Sequence, residues 1–241
     1  MSQQRLDQID LTKIFFLDIE TVSQVAHFGE LQAEWQQLWE EKTRCQRKED
    51  ISAEEYYPQR AGILAEFAKV ICVSIGYFER ADGYPRKFRI KSFASRDEAE
   101  LLRDLSQVLQ KEHYILCAHN GKEFDFPFLA RRYVIHGMEL PEALNMHGKK
   151  PWEIQHLDTM ELWKFGDFKH FTSLKLLAAC FGIPSPKGDI DGSQVGRVFW
   201  EDNDLERIVH YCERDTLTVA QVMLRMTRRP LLEEDEIFFV G

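Results

Sequence analysis

Two acidic residues stand two positions apart in a segment that otherwise belongs inside a sheet. Residues 15–22 read FFLDIETV. The aromatic and branched side chains favour a buried strand, and Asp18 and Glu20 interrupt it. Side chains alternate across a strand, so both carboxylates project from one face and Leu17 and Ile19 from the other. Buried carboxylates are costly without a counter-charge. A divalent cation is one remedy, because Mg2+ and Mn2+ take oxygen ligands. A strand-end position or pairing with Lys or Arg would serve as well, and the spacing alone leaves that choice open.

Two further stretches carry acids where chemistry is possible. Residues 119–129 read HNGKEFDFPFL and follow a short apolar run. Asn120-Gly121 supplies a turn, and Pro127 suits the first turn of a helix. Asp125 then lies at a helix start, where an N-cap role alone would account for it. Residues 210–215 read HYCERD and fall inside a long helical pattern whose apolar stripe runs through Leu205, Ile208, Val209, Cys212, Val219 and Met223. Asp215 sits on the edge of that stripe. Tyr211, four residues earlier, lies above it, about 40° around the helix. His210, five residues earlier, points about 140° away.

Positioning these groups takes a sheet with helices packed on it. Strands are predicted over residues 13–19, 69–78, 87–92, 114–118 and 156–159. Helices are predicted over 28–49 as an exposed amphipathic segment and over part of 53–67, with Pro58 as a break or a start. Further helices are predicted over 95–110, 126–136, 172–181 and 202–227. Ser95 and Glu98 have the spacing of a capping box. A Gly/Pro-rich loop spans 184–196. This order predicts an α/β fold, a mixed five-stranded sheet flanked by helices. It is the order of the ribonuclease-H-like fold, among several that share it.

Composition narrows the class. The 241 residues are 44% apolar and 29% charged, with a formal net charge of −9. An acidic balance argues against non-specific coating of nucleic acid, yet screening leaves room for a local basic groove. Cys45, Cys72, Cys117, Cys180 and Cys212 are odd in number, scattered and without a C-x-x-C pair, which suggests neither a disulfide framework nor a zinc site. The N-terminal segment is polar, and no apolar run reaches the length of a bilayer span. These features predict a reduced, cytoplasmic, soluble protein without membrane association.

Together, D-x-E on a first strand, N-G-x-x-F-D-x-P-F-L after a fourth and Y-x-x-x-D on a late helix resemble the three motifs of the DEDD 3′–5′ exonucleases, in their tyrosine variant. EFAKVICVSIGYF, SLKLLAACFGIP and GDIDGSQV look like segments of stand-alone bacterial proteins related to the proofreading exonuclease domain of family B DNA polymerases. The likeness runs from about residue 13 to about residue 226. It implies a single 3′–5′ exonuclease domain over residues 1–241, with a helical insertion at about 24–67. It implies that Asp18, Glu20, Asp125 and Asp215 hold two divalent ions, Mg2+ or Mn2+, with Asp18 bridging them and Tyr211 orienting the attacking water. Nucleoside 5′-monophosphates would leave from 3′ ends, above all of single-stranded DNA. The sister DEDD group uses a His at the spacing of His210.

Thr21, Asn120, Phe124, Ser173, Lys187 and Asp191 are the expected substrate contacts, with the loop 187–195 near the 3′-terminal nucleotide. Lys149, Lys150, Arg131, Arg132 and residues 165–171 (FGDFKHF) offer cations and aromatics to phosphates and unpaired bases, or serve as solvated charges and core. Asp158 is expected to make structural hydrogen bonds, and the tail LEEDEIFFVG to pack, fray or dock. RNA or small oligonucleotides as substrate, or a catalytically inactive nucleic-acid-binding protein, fit the same fold. All four acids and the tyrosine weigh against the inactive reading. No protein partner is indicated.

Overall fold

The computed structural model describes residues 6–79, 87–110, 114–167, 169–184 and 190–240. Its centre is a six-stranded mixed sheet in the order β5-β4-β1-β2-β3-β6. β1 (Ile14–Ser23) runs antiparallel to β2 (Ala68–Phe78), which pairs antiparallel with β3 (Phe88–Ala94). On its other side β1 is parallel to β4 (Ile115–Ala118), and β4 to the two-residue β5 (Leu157–Asp158). The five predicted strands are all present. The sixth, β6 (Ile237–Val240), corrects the predicted count: it adds to β3 in parallel. Its Ile-Phe-Phe-Val run is β-prone, but the acids before it disguise the segment as a solvated tail.

Between β1 and β2 the chain forms α1 (Ala33–Thr43) and α2 (Ala53–Arg60), with Pro58 inside α2. The segment predicted as an exposed helix has a buried side. Trp39 and Tyr57 are fully buried against Leu31, Ala61 and Phe67, and the Trp39 indole N–H donates to the Ala53 carbonyl at 2.8 Å. These residues make a small core of their own beside the sheet.

Helices cover both faces of the sheet. Phe15, Leu17 and Ile19 of β1 pack against α3 (Glu98–Leu109) and α4 (Asp125–Ile135). The chain then passes through α5 (Thr159–Lys164), α6 (Leu174–Cys180) and a single turn, α7 (Val195–Arg197), into the long α8 (Leu205–Met226). Ile14 and Phe16, on the opposite face of β1, pack under Val219, Ala220 and Met223 of α8. Because side chains alternate, Asp18 and Glu20 continue that same face toward the N-terminal half of α8. No helix among the described residues is long and apolar enough to cross a membrane.

The capping box predicted at Ser95 does not form. Asp97 caps α3, accepting from the N–H groups of Ala99 (2.9 Å) and Glu100 (3.3 Å). Glu98 turns inward instead, because α4 presents a buried arginine that requires an anion. Its carboxylate accepts from the Val70 N–H (2.7 Å) and from Arg132 Nε (2.9 Å), and it meets His136 Nε2 at 2.7 Å. One buried acid thereby joins β2, α3 and α4. Removing one partner of a buried ion pair strands the other, at a cost of about 3–5 kcal/mol. Arg132→Met is therefore expected to lower unfolding stability by that order in a urea titration. A loss under about 1 kcal/mol would show that the network is dispensable.

Candidate active site

The seating of α8 on the sheet decides what faces the acids of β1. Two side chains one turn apart hold it there: the Cys212 thiol donates to the Asp18 carbonyl (3.3 Å), and the Thr216 hydroxyl to the Ser74 carbonyl (3.3 Å). With those two facing the strands, Tyr211 and Asp215 share a shoulder directed at Asp18 and Glu20. His210 goes to the far side. Its side chain is 64% exposed and its Nδ1 lies 3.3 Å from Glu213. A recess of about 620 Å³ on that far side is lined by Arg207, His210, Glu213 and Phe239. It contains none of the four motif acids, so it is not where we place the chemistry.

Asp125 arrives from the turn after β4. Asn120 is in the left-handed region (φ 65°). Gly121 has no room for a side chain, since an added Cβ would lie 2.4 Å from the Ala118 Cβ. Asp158, buried, holds this turn by accepting from the N–H groups of Asn120 (3.0 Å) and Lys122 (3.1 Å), and caps α5 through Met160 N–H (2.9 Å). That is the structural role expected of it. Asp125 is the first residue of α4 rather than its N-cap, a position taken by Phe124. The Asp125 carboxyl is buried and hydrogen-bonded by its own N–H and that of Ile19 on β1.

The four acids feel one another. Burial raises Asp18 well above the usual carboxylate range, and the charges of Glu20, Asp215 and Asp125 push the same way. Burial also raises Glu20, helped by Asp215, Cys72 and Asp125. Asp125 is pushed up to about 7 by burial, against the pull of its two N–H donors. Asp215 is raised by burial and partly relieved by the Tyr211 hydroxyl and Arg214. Tyr211 is raised far above the ordinary phenol by burial, then by Asp215, Glu20 and Asp18. It remains a phenol and donates to Asp215. Asp18 Oδ2 is buried and has no hydrogen-bond partner. Clustered carboxylates with an unpaired oxygen are a donor set for hard divalent cations. The ligand atoms brought within 4.8 Å of one another are those of Asp18, Glu20 and Cys212, with Asp125 and Asp215 acting on them through their charge.

Several other predicted residues have local partners of their own. The Thr21 hydroxyl is occupied with the Gly62 carbonyl (2.5 Å). Phe124 packs against Phe128, and the exposed Ser173 caps α6. Asp191 is exposed and accepts from the Ser193 N–H (2.9 Å). Next to it, a Cβ on Gly192 would lie 3.9 Å from the Tyr211 hydroxyl, so this loop borders the cluster. Lys187 lies outside the described residues. Arg132 is spent on Glu98 and is not available to a strand, whereas Arg131 is exposed. Phe165 and Phe171 are not core: they are 76% and 69% exposed. Cys212 was legible only as a stripe residue. Its thiol lies with the Asp18 and Glu20 carboxylates inside 4.8 Å, beside Cys72 of β2. No sequence spacing announces that contact, which is made across the sheet.

A family model described as a predicted 3′–5′ exonuclease related to the exonuclease domain of PolB matches residues 63–236. No curated protein matches the chain. In structure it is similar to the family B DNA polymerase from the hyperthermophilic archaeon Pyrobaculum calidifontis, with a TM-score of 0.53 and 16% identity over 88% of this chain and 24% of the polymerase. The chain thus spans about a quarter of the polymerase's length. At this identity the likeness speaks to the fold, a ribonuclease-H-like mixed α/β fold.

The raised acids have a consequence for stability. Groups with pKa values raised in the folded state hold protons that the unfolded chain has released, so their stabilising contribution is complete below the unfolded value and is lost as pH rises through the folded one. For Asp125 that window runs from about 4 to about 7. The metal-free protein is therefore expected to melt at lower temperature as pH rises from about 5 to about 8, and millimolar Mn2+ is expected to restore it. Thermal melts in chelator and in Mn2+ read both effects. A melting temperature that climbs across this range in chelator, or ignores Mn2+ at the alkaline end, contradicts the cluster described here.

Proposed function

The chain belongs to the family of predicted 3′–5′ exonucleases related to the exonuclease domain of PolB, and from that premise we propose that it removes nucleoside 5′-monophosphates from the 3′ end of single-stranded DNA. In this reading residues 1–241 act as one exonuclease domain, and residues of about 24–67 are an insertion. The observation that carries it is the cluster of Asp18, Glu20, Asp125 and Asp215 beneath Tyr211, with the buried Asp18 Oδ2 lacking any partner of its own. Asp18, Glu20, Asp125 and Asp215 would hold two divalent ions, Mg2+ or Mn2+. Bound there, the ions would neutralise the acids and polarise the scissile phosphate and the attacking water.

The chain's own residues do the rest. Burial keeps Tyr211 protonated, and its proton is committed to Asp215. Its oxygen lone pairs are left to accept from the attacking water, which orients that water toward phosphorus. The P–O3′ bond to the penultimate nucleotide breaks as the water oxygen bonds to phosphorus; the water gives up a proton to solvent and the departing 3′-oxygen takes one up from it. The products are a nucleoside 5′-monophosphate and a strand with a new 3′-hydroxyl. Gly192, at which an added Cβ would lie 3.9 Å from the tyrosine hydroxyl, would border the terminal nucleotide.

Side chains suited to an unpaired strand support the single-strand reading. Phe165 takes a left-handed conformation (φ 43°) and stays exposed. Lys164 Nζ lies 4.6 Å from the ring centre of the exposed Phe171, and Lys150 Nζ 5.2 Å from that of the exposed Trp152. Exposed rings beside ammonium groups stack bases and meet phosphates at once. The segment is tied to the β4–α4 turn through His119, whose Nε2 is 2.8 Å from the Thr172 carbonyl.

End-labelled single-stranded DNA, duplex DNA and RNA incubated side by side with Mg2+, Mn2+ or chelator test the reading. Stepwise shortening of single-stranded DNA from its 3′ end, with either metal and not in chelator, is expected. Asp125→Asn should lower the rate by about 1,000-fold or more while single-strand binding persists. Tyr211→Phe should lower the single-turnover rate by about 100-fold, with melting temperature nearly unchanged. His210→Ala should leave the rate unchanged. A silent Tyr211→Phe beside an inactive His210→Ala would overturn the assignment of the water-orienting group.

A further inference from the structure

The thiol of Cys212 is an unusual neighbour for a cluster of hard oxygen ligands. We propose that the cleft also contains a position for a thiophilic divalent cation of the zinc and cadmium class, liganded by Asp18, Glu20 and Cys212, and that filling it inhibits hydrolysis. The inference rests on the acid cluster being the metal site proposed above, and it concerns which ions that site takes.

Three observations converge. First, one carboxylate oxygen from each of Asp18 and Glu20 and the sulfur of Cys212 lie within 4.8 Å of one another. Ligands of a tetrahedral zinc lie at about 2.0–2.3 Å from the metal, hence roughly 3.5 Å apart. Side-chain rotations of the two acids would have to close that gap. Second, Asp18 Oδ2 is buried and makes no hydrogen bond, so an acceptor atom beside the Cys212 thiol and the other carboxylates is without a donor. Third, the Cys72 thiol, opposite Glu20 in the β1–β2 register, contacts the Cys212 thiol from behind. A second sulfur thus backs the first and extends the soft side of the position.

Ligand chemistry separates the two uses of the cleft. Mg2+ and Mn2+ take oxygen and pass over sulfur, so they use the four carboxylates and leave Cys212 as a thiol. A zinc-class ion gains from sulfur and, with these three protein ligands, would complete its tetrahedron with a water. Drawn toward Cys212, it takes Asp18 and Glu20, two of the four acids that the catalytic ions require. The thiol proton passes to solvent as the metal–sulfur bond forms, together with any proton that the Asp18 and Glu20 carboxyls hold.

The test uses full-length protein in which the exposed Cys45 and Cys180 are both replaced by Ser, leaving the buried thiols as the sulfur donors of interest. Cadmium titration is followed by thiolate-to-metal charge-transfer absorption in the ultraviolet, and Mn2+ binding by electron paramagnetic resonance. One cadmium per chain with a charge-transfer band is expected. Cys212→Ser should abolish the band and weaken cadmium binding by about 100-fold or more, while Mn2+ affinity stays within about threefold. Zinc should inhibit Mg2+-dependent cleavage in the parent, and Cys212→Ser should raise the inhibitory concentration by a similar factor. A circular dichroism spectrum and melting curve matching the parent keep a misfolded variant from counting as support. Mn2+ binding without a cadmium band, or a band that survives Cys212→Ser, overturns this inference alone. Absence of Mn2+ binding in the parent overturns the metal-site reading beneath it.

Discussion

The rotation of α8 about its own axis is the constraint on which the cleft depends. It is set by Cys212 and Thr216, an i,i+4 pair whose side chains bond to main-chain carbonyls of the neighbouring strands β1 and β2. Successive residues are about 100° apart around a helix, so fixing this pair fixes all others. Tyr211 and Asp215, the adjacent i,i+4 pair, are forced onto the shoulder over Asp18 and Glu20. His210 is forced toward solvent, where it meets Glu213. A helix turned by one residue would present a different donor to the acids. The choice between a tyrosine and a histidine at this site is therefore made by the packing of two small polar side chains beneath it.

This protein buries acids in more than one way, and the contrast is informative. Glu98 is surrounded by the Val70 N–H, Arg132 and His136. Asp158 accepts from four main-chain N–H groups, those of Asn120, Lys122, Met160 and Glu161. Both are buried, and both are saturated with donors. A buried carboxylate with a structural task looks like this, because an unsatisfied one costs far more than its hydrogen bonds return. Asp18 has only the Cys212 thiol as a donor, its Oδ2 has no partner, and the charges that act on it are those of other carboxylates. The same fold that satisfies Glu98 and Asp158 leaves Asp18 Oδ2 unpartnered; the other buried side-chain atoms without a partner among the described residues, Arg47 Nε and Tyr57 Oη, belong to groups that are not carboxylates. A cation removes the repulsion and supplies the missing partner together.

The sequence discloses the acids because their signals are local. D-x-E on a strand and Y-x-x-x-D on a stripe edge are statements about period, and period survives into the fold. What stays hidden depends on contacts between distant segments. Glu98 scans as the last residue of a capping box with Ser95. It is drawn inward because Arg132, on a helix some thirty residues later, arrives buried and needs an anion. Phe165 and Phe171 scan as core, yet no apolar surface covers them and both stay in solvent. Cys72 and Cys212 are each an ordinary core cysteine in the sequence. Only the crossing of α8 over β2 makes them neighbours beneath Glu20. Strand β6 escapes notice because its partner, the edge of β3, is chosen by tertiary position and not by any turn signal.

The overall charge sharpens the question of how a polyanion reaches an acidic cleft. At −9, the long-range field opposes approach, and screening reduces that opposition to about 8–10 Å at physiological ionic strength. Inside that distance local chemistry governs. Lys164 over Phe171 and Lys150 over Trp152 put a cation and a stacking face in one place. Each such pair offers an unpaired nucleotide both of its requirements, a counter-charge for the phosphate and a surface for the base. A duplex, whose bases are already stacked on one another, can use only the charge. With one charge per about 1.7 Å of axis against about 3.4 Å for one strand, a duplex would meet the larger penalty at long range, and the exposed rings would favour only strands with free bases at contact. The selectivity we propose for an unpaired 3′ end would thus draw on the net charge at long range and on the exposed rings at contact.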